Sequence, residues 1–199
     1  PWLKTIPPIV YGVKHLLHWV VSQFERKKYF LHIFLDALQH IAYFFLLKKK
    51  GVHIMATVCD VSKYILKKAG RMTTMKLQKL VYYSQAWSLV WDEEPLFDEP
   101  IEAWANGPVV RSLYDAHRGQ FKVGTSDFVG RGKCSNLSKK QKETIDGVLK
   151  YYGDKSAQWL IDLTHLEDPW RNARGNCGRG ESCDSVISHD AMMEYYSGL

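Results

Sequence analysis

The sequence predicts a mostly α-helical protein in two parts. Residues 1–54 form an amphipathic helical hairpin, and residues 55–199 form a compact helical domain with two or three short strands. Three observations lead there. Apolar residues recur at three- and four-residue spacing through most of the chain. A Ser or Thr precedes nearly every such run in the second part, where a helix needs its N-cap. The charge also divides at Met55. Residues 1–54 hold eight Lys/Arg against two acids, Glu25 and Asp36, which accounts for the whole formal charge of +6. The remaining 19 basic and 19 acidic residues cancel. A basic nucleic-acid-binding surface spanning the chain is therefore excluded.

In the first part, Val10, Val13, Leu17, Val20, Val21 and Phe24 make one helical stripe, blocked behind by Pro7-Pro8. A second helix over about residues 29–48 carries Phe30, Ile33, Phe34, Leu38, Ile41, Phe44 and Phe45. Lys48-Lys49-Lys50-Gly51 stops it, because cations complement the dipole and glycine terminates. His32, Asp36, Gln39 and His40 lie within this helix, and an Asp at a bilayer centre costs roughly 2.5–3.5 kcal/mol. Three readings compete: a hairpin packed on a soluble domain, a membrane-seeking interfacial element, and a membrane span. The first is expected, with Phe34 and Leu38 on the docking stripe.

The second part opens with "MATVCDVSKYILKKAG", in which Thr57 or Asp60 caps a helix closed by Lys67-Lys68 and Gly70. Thr73 or Thr74 caps the next helix. It is apolar over much of its surface and is expected to be the central core helix. Residues 100–104 read as a short strand. Asn106-Gly107 is a hairpin signal, but Pro108 cannot donate into a returning strand. The stretch is therefore predicted as a corner, with a helix running from Pro108 to near Gly119. Phe121 with Val123, and Phe128 with Val129, give weak strand signals. Ser138 with Gln141 forms a capping box for a helix over 139–152, Ser156 caps another, Pro169 opens a one-turn helix, and Ser188 caps the last. Residues 174–185 read as a mobile loop.

No histidine or cysteine spacing suits a metal, and no Gly-rich phosphate cradle occurs, so no cofactor is predicted. Cys59, Cys134, Cys177 and Cys183 form no Cys-x-x-Cys pair and are expected to be reduced thiols of a cytoplasmic protein. His165, beside Glu167 and Asp168, is the best acid–base candidate, but no nucleophile accompanies it. It is read as a structural histidine bonded to backbone or Trp104, and the chain is read as a non-enzyme.

Three stretches then stand in order: "KLQKLVYYSQAW" (76–87), "PLFDEPIEAWANGPVVRSLYDAHRGQF" (95–121) and "LTHLEDPW" (163–170). Together they resemble the Panacea domain of SocA-type antitoxins, over about residues 57–198. Residues 1–54 match nothing in that pattern. The resemblance implies a mostly helical Panacea-type domain that neutralises a partner protein toxin by direct binding, with no established reaction. One branch of the family instead delivers its toxin to a protease. A fused chain, in which residues 1–54 are the toxic or membrane-seeking element, is the other alternative. Trp104, Asn106, Gly107, Pro108, His165, Pro169 and Trp170 belong to the family pattern and are read as structural. Arg111, Asp115 and Arg118, on the exposed helix face after the corner, are the candidate partner contacts. No nucleic acid is expected, and any membrane contact would come through residues 1–54.

The balanced charge and full set of caps predict that residues 55–199 fold without residues 1–54. A thermal melt of that fragment should show one cooperative transition. A gradual, sloping melt would contradict the two-part organisation.

Overall fold

The computed structural model describes residues 55–178 and 180–199. The predicted hairpin, with Phe34 and Leu38, lies outside the described residues. Seven α-helices and two small antiparallel sheets make up the described part.

The caps fall where the sequence places them. Thr57 and Asp60 form a reciprocal capping box at the start of α1 (Val58–Ala69), and Gly70, at φ 77°, ends it. β1 (Met72–Thr73) leads into α2 (Thr74–Trp91), where the Thr73 hydroxyl accepts from the Lys76 N–H. α2 is the central helix. Leu77, Leu80, Val81, Tyr82, Tyr83 and Ala86 are all fully buried. Burying each of the larger side chains is worth roughly 1.5–3 kcal/mol. Around α2 pack α1, α4 (Lys139–Tyr152), α5 (Ala157–Leu166) and α7 (His189–Ser197). Ser138, Ser156 and Ser188 cap the last three.

The stretch around Asn106 departs from expectation. β2 (Ile101–Trp104) and β3 (Gly107–Val110) pair as an antiparallel hairpin, and α3 (Arg111–His117) begins only after it. Pro108 is therefore a strand residue, opposite Ala103. The reason lies in the register. At this pair the backbone groups point away from the partner strand: the Ala103 N–H donates outward to the Ser185 carbonyl at 2.8 Å. A proline here deprives the ladder of nothing. The turn is also not the mirror-image type that Asn-Gly suggests. Ala105 and Asn106 have negative φ, and only Gly107 is left-handed, at φ 91°. That is the pattern of a type I turn followed by a bulge glycine.

Segment 185–187 extends the sheet on the β2 side, bridging Glu102 to Val186, with the Ile187 N–H bonded to the Ile101 carbonyl at 2.8 Å. β4 (Lys122–Val123) pairs with β1, so the Val123 strand signal is realised. The signal at Phe128 is not, because residues Thr125–Phe128 form a 3₁₀ turn. The turn expected at Pro169 grows into α6 (Asp168–Arg174). The segment after it is closed by a Cys177–Cys183 disulfide, which overturns the expectation of four reduced thiols. The Cα atoms are 6.2 Å apart, within bridging range, because Gly175 turns the chain back at the end of α6.

Gly107 is constrained twice. A Cβ there would meet Lys79 Nζ and Thr164 Oγ1, each at 2.7 Å, and its φ is left-handed. Gly107→Ala should destabilise the fold by about 2 kcal/mol or more. Urea unfolding at unchanged slope checks this, and a loss under about 0.5 kcal/mol would show that the hairpin relaxes freely.

Candidate functional site

The β2–β3 hairpin is held on α2 by two polar side chains of the helix. Gln78 Oε1 accepts from the Val110 N–H at 2.9 Å. Its Nε2 is thereby fixed as a donor, to the Val110 carbonyl at 3.3 Å and to His117 Nε2 at 3.2 Å. His117 must then accept at Nε2, which makes it a neutral imidazole, and burial also lowers its pKa. Lys79, fully buried, donates to the Pro108 carbonyl at 2.9 Å. Burial pushes its ammonium down to about 7.

The "THLEDPW" stretch clasps the same hairpin from the other side. Trp170 Nε1 donates to the Trp104 carbonyl at 2.9 Å, and Thr164 lies buried against Gly107. His165 stacks on Trp170 with centroids 4.1 Å apart. Its Nε2 is enclosed with no hydrogen-bond partner among the described residues, and burial, then the Lys79 charge, lower its pKa. Pro169 is buried in the first turn of α6. Glu167 accepts from Tyr196 Oη at 2.7 Å and from Tyr83 Oη at 3.2 Å. Burial pushes its carboxyl up to about 7 against the pull of these two hydroxyls.

Outside this clasp a recess of about 300 Å³ opens between the hairpin turn, the start of α2 and the end of α3. Trp104, Asn106, Tyr114, His117, Arg118 and Gln120 are among its walls. Trp104 and Tyr114 meet edge to face at 4.9 Å. The Arg118 guanidinium lies over Tyr114 and pairs with Asp115 at 2.9 Å. The side chains of Asn106 and Gln120 are exposed and make no hydrogen bond to any described residue. Arg111 is engaged differently. It forks onto Glu102 with two bonds of 2.9 Å and covers Trp104, whose Nε1 also donates to Glu102 at 2.6 Å. Burial raises the Glu102 carboxyl, but these donors outweigh it and hold it below the usual range.

Of the candidate contacts, Arg118 therefore lines the recess, Asp115 orients it, and Arg111 braces the hairpin. Trp104 and Asn106, which the sequence presents as structural, also line it. Gln78, Lys79, Gln85 and Arg174 were missed. Polar residues inside a helix buried on every side must find partners, and that was the available signal for three of them. Among the described residues no cluster of side chains suits a metal.

Residues 77–171 match the family model described as antitoxin SocA-like, Panacea domain. This segment is a Panacea domain. The match runs from Leu77 on α2 through the hairpin, α3 and α5 to Arg171 on α6, so it contains both the clasp and most of the recess wall. No curated protein and no solved structure matches the chain.

The two shifted groups titrate in opposite senses. Between about 4.5 and 7 the folded chain keeps a proton on Glu167 that the unfolded chain has released. Its stabilisation is full below that window and is lost as pH rises through it. Between about 7 and 10.5 the unfolded chain holds a proton on Lys79 that the folded chain lacks, so stability rises with pH there. Urea unfolding across pH should show the difference between wild type and Glu167→Gln falling over the first window. The difference from Lys79→Met should rise over the second. A flat difference in either window would mean that the group titrates alike in both states.

Proposed function

We propose that this chain is an antitoxin that neutralises a partner toxin by direct protein–protein binding, with the recess beside the β2–β3 hairpin as the contact. The observation that carries this is the position of the recess, whose wall falls largely inside the segment matching the Panacea domain. Its chemistry supports a protein partner. Two aromatic faces, Trp104 and Tyr114, stand beside a guanidinium, the combination that dominates interface hot spots. The unbonded amides of Asn106 and Gln120 supply polar contacts at the edge. A domain whose formal charges cancel supports a protein rather than a nucleic-acid partner.

In this reading the chain binds and does not catalyse. His165 has its ring against Trp170 and is not part of the recess wall. Glu167 is occupied by two tyrosine hydroxyls. None of the described helices is long and apolar enough to cross a membrane.

The test is co-expression with the protein encoded beside this chain, scored by growth rescue and by complex affinity. Arg118→Glu combined with Tyr114→Ser should abolish rescue and weaken the complex at least about tenfold while the fold survives. His165→Ala, checked for folding by its melt, should keep rescue. A folded double variant that binds as wild type would move the contact elsewhere. Loss of rescue by a folded His165→Ala that still binds would return the chain to the enzymes.

A further inference from the structure

The segment after α6 holds a second feature, separate from the recess. Arg174 is buried, and among the described residues it has no carboxylate partner. Its guanidinium is instead shared among three backbone carbonyls: Ala103 at 2.9 Å, Gly178 at 2.6 Å and Glu181 at 3.0 Å. Ala103 belongs to β2, whereas Gly178 and Glu181 lie inside the loop that the Cys177–Cys183 disulfide closes. Directly after Cys183 the chain becomes the outer neighbour of β2, through the bonds of Ser185 to Ala103 and of Ile187 to Ile101.

The other bonds within the loop are short-range: the Cys177 N–H donates to the Arg174 carbonyl at 2.8 Å, the Gly178 N–H to Glu181 Oε2 at 2.8 Å and the Glu181 N–H to the Gly178 carbonyl at 3.1 Å. Glu181, Ser182, Asp184, Ser185 and Val186 are exposed, and only Cys183 and Ile187 are buried. Gly178 and Gly180 loosen the loop further, since glycine loses most entropy on ordering. The cross-link and the Arg174 guanidinium thus tie the loop 177–183 to α6 and β2, and the segment that follows it finishes the edge of the hairpin. Of the two cysteines, Cys177 is half-buried and Cys183 is buried, so Cys177 is the side from which a thiol would approach. Thiol–disulfide exchange needs one accessible sulfur.

We propose that Cys177 and Cys183 are a reversible redox site, a latch whose reduction releases segment 183–187 from β2. In the opening step a thiolate of a small dithiol attacks Cys177 Sγ and the S–S bond breaks. The electron pair leaves on Cys183, which takes a proton. The second thiol of the reductant then displaces Cys177 as a thiol, and the reductant departs as its own disulfide. In closing, the Cys177 thiolate attacks a peroxide, becoming a sulfenic acid as the first water is lost. Cys183 displaces the hydroxyl as the second water, so two thiols and one hydrogen peroxide give one disulfide and two waters. Opening removes Gly178 and Glu181 from Arg174 and lets water reach Ala103 beside Trp104.

The experiment is residue-resolved hydrogen exchange on the full chain, oxidised by hydrogen peroxide or reduced by dithiothreitol, with thiols counted by alkylation. Reduction should speed exchange of the Ala103 and Ile187 amides by about tenfold or more. The Val110 amide, held by Gln78, and Val148 in α4 should not change. Cys177→Ser should exchange like the reduced chain under both conditions. Equal exchange of Ala103 and Ile187 in the two states would overturn the latch, leaving a static staple. General acceleration reaching Val148 would overturn it in favour of a cross-link that holds the whole domain. Both cysteines remaining open to alkylation after peroxide would show that the pair does not close.

Discussion

The buried polar side chains of α2 are the constraint on which the rest of the structure depends. A helix enclosed on every side has no solvent in which to place Gln78, Lys79 or Gln85, so each must bond to a neighbouring backbone. Gln78 and Lys79 take the outer edge of β3. Gln85 accepts from the Leu96 and Phe97 N–H groups and donates to the Phe97 carbonyl, fixing the link between α2 and β2. Four-residue strands in a two-stranded sheet are marginal alone. Here the helix supplies the hydrogen bonds that a third strand would have given on the β3 side.

The same arrangement explains the cluster of Gly107, Pro108, Thr164 and Lys79. Lys79 brings a charge into the core and finds one carbonyl for it, at a residue with no N–H to place. Gly107 leaves the space that Lys79 and Thr164 occupy. Such a lysine is costly to bury and weakly paired, so its contribution lies in positioning the hairpin rather than in net stability. Glu167 plays the matching part on the other face, drawing Tyr83 of α2 and Tyr196 of α7 to the start of α6.

Position links this clasp to binding. Trp104 joins the two: its carbonyl belongs to the clasp through Trp170, and its ring belongs to the recess. The recess wall is thus carried by a turn with both flanks fixed. Preorganisation of this kind lowers the ordering entropy that association must otherwise overcome.

Among the described residues the sequence by itself determined the helical elements and, apart from α3, where they start. Ser138, Ser156 and Ser188 cap as the sequence predicts, and Thr57 and Thr73 are the caps within the pairs Thr57/Asp60 and Thr73/Thr74 that it offers, because capping involves atoms only three residues apart. It also marked α2 as the central helix and the Panacea motifs as a unit. The tertiary structure alone decided the hairpin. Whether Pro108 breaks or joins a strand depends on which way its nitrogen faces, and that is set by a register held from α2, 29 residues away. It alone paired Cys177 with Cys183, which needed the turn at Gly175. It alone separated Arg118 from Arg111, identical in type and seven positions apart, because only one of them has Glu102 within reach. Local chemistry sets caps and periodicity, whereas strand register, buried partners and the exposure of a charge are fixed by residues distant in the chain.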